Sequence, residues 1–412
     1  MATLSADRHD SSQATPVRSK RSVRKGVAVT GAAGVAFAML AAAPPAVAKG
    51  PQKGDVTVVA TGLNSPRHLS FAPNGDLYVA EAGVPFTFEF EPDTTPGAPP
   101  VALPAECDDA EHPAFGQTCL TRTSSITRLS KHGKQSRVVT NLPSLSNSRG
   151  EVNGAFDVLL HGKTLTIAVG LGGPPEFRAE FADPQNALLG TVIEVKQNGK
   201  KQRTSVLADL VSFEESYNSD RGLLDNNPVD LAWSGRDLIV TDAGANAAFK
   251  VTKRGATSEV AVFADPVMML LDEPPFPGAP NPFPAQHVPT AAAQGPDGAW
   301  YVSELTGFPF KQGASTIWRV ARNGTVTPYA TGLTNVTDLA WRGRTLYAVQ
   351  ISDEGLLNGP LGSLVKVSPT GAHVTVADDL FAPYGLAITG GRAYVTVGSV
   401  APGGSVIRVP LR

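Results

Sequence analysis

Charge is scarce in this chain: Asp, Glu, Lys and Arg together make up 17% of its 412 residues. So low a fraction argues against long, charge-laced surface helices. Positive charge is scarcer still beyond the N-terminus. Of 35 Lys/Arg and 37 Asp/Glu, six and two fall within residues 1–48, which leaves 29 and 35 in residues 49–412 and a net charge of −6 there. Such a surface has no electrostatic footprint for nucleic acid, and none is expected as a partner. Cysteine is nearly absent: Cys107 and Cys119 stand alone. The rival reading of this pair as metal ligands lacks a further Cys. In an exported chain the two are expected to form a disulfide, and closing so short a loop contributes about 3 kcal/mol in chain-entropy terms. Nucleophile elbow, phosphate-binding Walker loop, dinucleotide glycine fingerprint and zinc spacing are all missing, so none of those chemistries is signalled.

Long apolar runs are missing as well, with one exception near the start. Arg18, Lys20, Arg21, Arg24 and Lys25 precede an Ala-rich apolar run over residues 26–43, and Ala46, Val47 and Ala48 follow. A basic region, an apolar core and small residues at a cleavage point read as a Sec-type signal peptide over 1–48. A retained transmembrane anchor is the alternative, and 18 residues are marginal for spanning. No adjacent Arg pair suggests a twin-arginine signal, and no Cys follows the cleavage point to accept lipid. The rest is expected to be secreted, free of the membrane and monomeric.

What is plentiful is Gly (41) and Pro (34), against 42% hydrophobic residues and a mean hydropathy of −0.05. That mixture suits many short strands joined by turns in a large globular core. The stretch 66–83, PRHLSFAPNGDLYVAEAG, shows the pattern: an apolar run, the turn at 73–76, and a second run stopping at Glu81. Asn-Gly between β-rich runs is a strong hairpin signal, because both residues tolerate positive φ. Equivalent turns recur at 161–164, 234–237, 296–299, 342–345 and 390–393. A second set falls at 131–134, 197–200, 253–256, 322–325 and 368–371. The last unit lacks its final strand, and VTVVATGL at 56–63 resembles VTPYATGL at 326–333, the fourth strand of the fourth unit. Residues 49–412 are therefore expected to form one all-β domain, a six-bladed β-propeller closed by an N-terminal strand completing the last blade.

In a four-stranded meander the first–second and third–fourth turns share one end. The long segments 84–121, 170–189, 209–227, 264–287 and 351–361 are all of the other kind, so they gather on one face. That loop-rich face is the expected binding surface. Segment 264–287 carries Met268, Met269, Leu270 and Leu271 and is expected to pack down on its own scaffold, although it could form a lid or protein-binding patch. Phe86, Phe88 and Phe90 carry the same ambiguity.

PVDLAW at 228–233 followed by DLIVTDAG at 237–244 resembles the repeats of NHL and gluconolactonase-type propellers. With NPVD at 227–230 and LYVAEAG at 77–83, the order and loop pattern over 55–412 resemble the ScyD/ScyE family. The resemblance implies an exported propeller and supplies no defined reaction or catalytic residue.

Counting back from each first turn gives equivalent innermost positions: His68, Asp157, Asp230, Ala291, Asp338 and Gly385. Quasi-symmetry places these near the axis, at the loop-bearing end. Carboxylates around one channel repel unless a cation, water or protons compensate. A Ca²⁺ ion held by Asp157, Asp230 and Asp338, with Glu151 and Asn153 adding ligands and His68 as proton carrier, is one solution. Gluconolactonase-type propellers hold a divalent ion here, although this chain lacks a clear match to their Glu and Asn ligand motifs. The alternative is that the acids cap backbone N–H groups at blade starts or line a water-filled channel. Glu81, Asp242 and Glu304 share a second offset and are expected to hold the following turns. Arg67 beside His68 also suggests the base-plus-Arg site of quinoprotein sugar dehydrogenases, but nothing else supports a quinone pocket. Two functions follow: a binding propeller for a small molecule, glycan or protein partner, or a divalent-metal-dependent hydrolase of the lactonase or phosphotriesterase kind.

Overall fold

The first turn of each repeat, between its first and second strands, carries a glycine at positive φ. In the first, Gly75 sits at φ +85° while Ala72 N–H donates to the Asp76 carbonyl, and the chain reverses into the second strand. In the computed structural model of the protein, residues 56–85, 106–107, 116–148, 150–181, 183–198 and 201–411 are described. Residues 1–48, Phe86, Phe88 and Phe90 lie outside them, so the signal-peptide reading has no structural counterpart here.

The strands form six four-stranded antiparallel units arranged as a β-propeller. The innermost strands of blades 1 to 6 are Pro66–Phe71, Ala155–His161, Pro228–Ser234, Pro289–Gln294, Val336–Arg342 and Leu386–Thr389. Blade 6 continues through Arg392–Val397 and Pro402–Pro410, and its outermost strand is Thr57–Asn64, in register Thr57 with Arg408 through Asn64 with Pro402. The N-terminal strand thus closes the ring. Blade 1 is longer, its Thr118–Leu129 and Gln135–Asn147 pair being extended by the short strands Glu106–Cys107 and Val152–Asn153. Cys107 and Cys119 are joined in a disulfide across that extension.

Alternation along each strand turns one set of side chains toward the neighbouring blade, and every blade interface has its own apolar cluster. Tyr78, Val158 and Ile193 belong to the one between blades 1 and 2. Leu346, Tyr301 and Val336 serve blades 4 and 5, and Leu63, Val406 and Leu77 serve blades 6 and 1. Fully burying each such side chain contributes about 1.5–3 kcal/mol. Stability is therefore spread around the ring.

All long connections lie between second and third strands or between blades, as the turn pattern implies. One was missed: residues 305–314 form a further connection of this kind in blade 4, marked in sequence by Gly307, Pro309 and Gly313. The all-β expectation also missed local helices. Segment 209–227 contains the α-helix Leu210–Tyr217, started by the Asp209 side chain accepting from Ser212 N–H and ended by Asn218 in the left-handed region. Both caps are residue types that favour those positions.

Segment 264–287 folds as a hairpin, Val267–Met269 with Phe283–Ala285. The expectation that its apolar run packs down needs correcting. Met269 is buried against Phe283 and Ala285, whereas Met268 (58% exposed) and Leu270 face outward, because adjacent strand residues point to opposite sides.

Candidate functional site at the propeller axis

The innermost strands enter the ring at the loop-bearing end, and the third residue of each in blades 1 to 5, with Gly385 just ahead of the strand in blade 6, reaches the axis. His68 from blade 1 meets Asp338 from blade 5, Nδ1 to Oδ2 at 2.9 Å, and Asp230 from blade 3, Nδ1 to Oδ1 at 3.9 Å. These three, from alternate blades, bring side-chain donor atoms within 4.8 Å of one another. Asp157 from blade 2 lies outside that trio but close enough for its charge to act on His68. Ala291 and Gly385 complete the ring without polar atoms. At Gly385 the absence of a side chain is required, since a Cβ there would lie 2.5 Å from the Arg67 carbonyl oxygen and 2.7 Å from the His68 Cα.

Each acid also ties its blade to the next. Asp157 Oδ2 accepts from Leu231 N–H at 2.9 Å, Asp230 Oδ2 from Ala292 N–H at 2.9 Å, and Asp338 Oδ2 from Leu386 N–H at 2.5 Å. Asp157 Oδ1 and Asp338 Oδ1 accept from the N–H groups of Val158 and Leu339. Hydroxyls make similar links: Ser70 donates to the Val158 carbonyl, Thr290 to Val336 and Thr337 to Tyr384.

His68 is 2% exposed. Burial alone pushes its imidazolium down, but the Asp338 charge and hydrogen bond, with Asp230 and Asp157, outweigh it and hold the group at about 9. Burial pushes Asp157 up to about 6 and Asp230 well above the usual carboxylate range, against the pull of His68. The cluster is thus a buried imidazolium among acids, one of which favours its proton.

The trio that converges offers one imidazole nitrogen and two carboxylates, a donor set poorer in oxygen than Ca²⁺ takes. Such an ion needs six to eight oxygen ligands. Five of the six carboxylate oxygens of Asp157, Asp230 and Asp338 already accept hydrogen bonds, leaving Asp230 Oδ1. The two residues expected to add ligands are placed otherwise. Glu151 lies outside the trio, its Oε2 accepting from Asn147 Nδ2 at 2.8 Å, and Asn153 lies against Gly172. His68 supplies the compensating cation instead.

The loop-bearing side of the ring is sealed. Phe156, Val229 and Tyr384 precede the ring residues in their strands and pack with Val288, Phe310, Ile351 and Leu356 in one buried apolar cluster. Tyr384 sets its ring edge-on to His68 at 5.1 Å, and burial pushes its phenol up to about 12. The Arg67 guanidinium sits 4.9 Å from the ring centroids of both Phe156 and Tyr384, and its Nη2 donates to the Val152 carbonyl at 3.0 Å. Arg67 is therefore clasped within the wall rather than presented to a cofactor. Its aromatic partners come from other blades, and nothing local in the sequence announces them.

Of the acids at the other offset, Asp242 holds the turn that follows it as expected, whereas Glu81 and Glu304 instead tie their strand to neighbouring strands and to the chain entering the blade. Glu81 accepts from Asn64 N–H, Thr127 Oγ1 and Arg137; Asp242 from the N–H groups of Asn227, Gly244 and Ala245; Glu304 from Thr316 N–H and Trp318 Nε1, with His287 Nδ1 2.6 Å away.

No family model matches this chain, and no curated protein does either. Solved structures resemble it across most of its length. The PQQ-bound aldose sugar dehydrogenase of Streptomyces coelicolor is 13% identical over 88% of this chain and 99% of its own, with a TM-score of 0.47. A protein assigned as a gluconolactonase is 11% identical over 93% of this chain and 99% of its own, with a TM-score of 0.45. Virginiamycin B lyase from Staphylococcus aureus is 9% identical over 85% of this chain and 98% of its own, with a TM-score of 0.41.

Proposed function

We propose that this chain is an exported, ScyD/ScyE-like binding propeller that holds a partner on its loop-rich face, with an axis that is structural. The observation that carries the reading is where exposed apolar side chains lie. Of thirteen large apolar side chains exposed among the described residues, Val58, Val206, Trp233, Val374 and Phe381 lie on strands elsewhere. Tyr217, Leu223, Leu224, Met268, Leu270, Phe276 and Leu357 stand on the long connections of that face, and Leu361 opens the strand after one. Three of these segments are tied side by side: Lys311 Nζ donates to the Leu270 carbonyl, and Gln312 Nε2 to the Asp353 carbonyl at 2.8 Å. Apolar tips on a braced platform suit a small molecule, glycan or protein that offers an apolar surface, and Met adapts to its shape.

The metal-dependent hydrolase reading draws on the convergence of His68, Asp230 and Asp338. Against it stand the oxygen-poor trio and the buried apolar cluster between the acids and the loop-rich face. The test has two arms. Residues 49–412 are assayed on lactones, carboxylic esters and phosphotriesters with Ca²⁺, Mg²⁺ or Mn²⁺, and the expected turnover equals that of His68→Ala. The same protein is screened on glycan and small-molecule arrays and by cross-linking in culture supernatant. A partner retained by the wild type is expected to be lost on Met268→Ser/Leu270→Ser at unchanged melting temperature. Turnover abolished by His68→Ala would replace the binding reading with the hydrolase. Export predicts a culture-medium protein beginning at Lys49; a cell-bound chain starting at Met1 would contradict it.

A further inference from the structure

Segment 209–227 buries more negative charge than anything near it can balance. Glu214 projects inward from the helix Leu210–Tyr217 and is 0% exposed, and its carboxylate meets no side-chain donor, only the nearby Ser219 backbone N–H. Asp225 is buried with Oδ1 unpartnered, and the amide oxygens of Asn218 and Asn226 are likewise unpartnered. Asp220 and Asp242 complete the group and act on Glu214 and Asp225 through their charges. These two are held in place. Asp220 accepts from Gly222 N–H and Asn246 Nδ2, and Asp242 accepts from Asn226 Nδ2 and three backbone N–H groups. Among the described residues no Lys, Arg or His forms an ion pair with any of the four acids.

We propose that the loop after this helix, with Glu214 and Asp225 as its acidic ligands, is a calcium site distinct from the axis. Burying unpaired carboxylates is costly unless protons or a cation offset the charge. Burial pushes Glu214 up to about 8, so either would serve the charge. Hydrogen bonding separates the two. Ser219 N–H serves one oxygen of Glu214 at most, so at least four buried side-chain oxygens, on Glu214, Asn218, Asp225 and Asn226, still need donors, and one or two protons cannot serve them all. A cation can. An all-oxygen set mixing carboxylate and amide donors suits a hard ion, and calcium accepts irregular geometry where magnesium demands an octahedron. No three of the four acids converge within 4.8 Å, so the ion takes its remaining ligands from amide and backbone oxygens and draws the loop in. At the axis, by contrast, His68 fills the cationic role.

Residues 49–412, stripped with EGTA, are titrated with CaCl₂ by calorimetry and in thermal melts, with MgCl₂ as control. One calcium per chain and a raised melting temperature are expected. At a hundredfold excess over Kd, the folding equilibrium shifts about a hundredfold. Trypsin cleavage after Arg221, which lies exposed at the tip of the loop, should slow at least tenfold with calcium. Glu214→Gln removes an unpaired buried charge, so it should melt no lower than the stripped wild type and ignore calcium; Asp225→Asn should also ignore it. Asp230→Asn, at the axis, should keep the full response. Absence of calcium binding in the wild type, binding that survives both loop variants, or binding lost in Asp230→Asn would overturn the site.

Discussion

His68 holds its proton in a place water hardly reaches, and its neighbours explain why. Asp338, Asp230 and Asp157 face it from three other blades, with Tyr384 at its edge. Its folded value of about 9 lies above the ordinary 6.5, so the folded state binds the proton more tightly than the unfolded chain. The stability this provides is complete below pH 6.5 and is lost as pH rises through 9. A gap of that size corresponds to about 3 kcal/mol. Urea melts of wild type and His68→Gln should therefore differ by about 3 kcal/mol at pH 6 and converge near pH 9.5; a difference that widens with pH would refute the buried imidazolium. Asp157 works in the same direction at lower pH, its raised value favouring the fold below pH 3.8 and losing that contribution as pH rises through 6. Gly385 makes a second test at this scale. The Arg67 and His68 backbone atoms that an added methyl would strike cannot swing aside as a flexible side chain could. Gly385→Ala should cost about 1–3 kcal/mol in chemical denaturation. Gly371→Ala meets only Ser368 Oγ, at 3.5 Å, in a backbone any residue adopts, and should be neutral or slightly stabilising.

Strands and turns were legible in the sequence because their causes are local. Positive-φ glycines fix the hairpins, and period-two alternation fixes which residues face the next blade. Counting back from those turns found His68, Asp230 and Asp338 because the stretch from the axis to the first turn stays at four or five residues in every blade, however long the rest of the repeat. Glu151 and Asn153 fall elsewhere for the complementary reason: they sit at the short strand Val152–Asn153 that extends blade 1, an addition no other repeat shares and so none dictates. The caps of Leu210–Tyr217, Asp209 and Asn218, were present but hidden by the strand-rich context. The apolar seal was illegible, since Phe310, Ile351 and Leu356 reach it from connections whose course depends on the assembled ring. The hairpin in segment 264–287 tests the same alternation. Met269→Ala should cost about 2–5 kcal/mol of local stability, seen as faster amide exchange over 267–285. Met268→Ser should stay within about 0.5 kcal/mol. Equal effects at the two positions would mean the run packs as a block.

At the scale of the whole molecule, ring closure rests on one strand. Thr57–Asn64 is the only element whose pairing partner, Pro402–Pro410, lies at the far end of the described chain. It also gives Ala60 and Leu63 to the interface between blades 6 and 1, against Leu69, Leu77 and Val406. Without it the third strand of blade 6 becomes an unpaired edge, and that interface loses its outer part. The loss does not stay there. The His68–Asp338 contact and the Thr396 hydrogen bond to the Arg67 carbonyl both need blade 1 held against its neighbours across the closure. A chain beginning at Pro66 should therefore forfeit the axial cluster along with the strand, and melt in a broadened or multi-step transition instead of one cooperative step. Leu63→Ala is the milder form, expected to cost about 2–5 kcal/mol while keeping a single transition. Calorimetry on both separates the cases. If the chain beginning at Pro66 melts as sharply as the wild type, the ring does not depend on its N-terminal strand, and the axial charges are held by the blades they belong to rather than by closure.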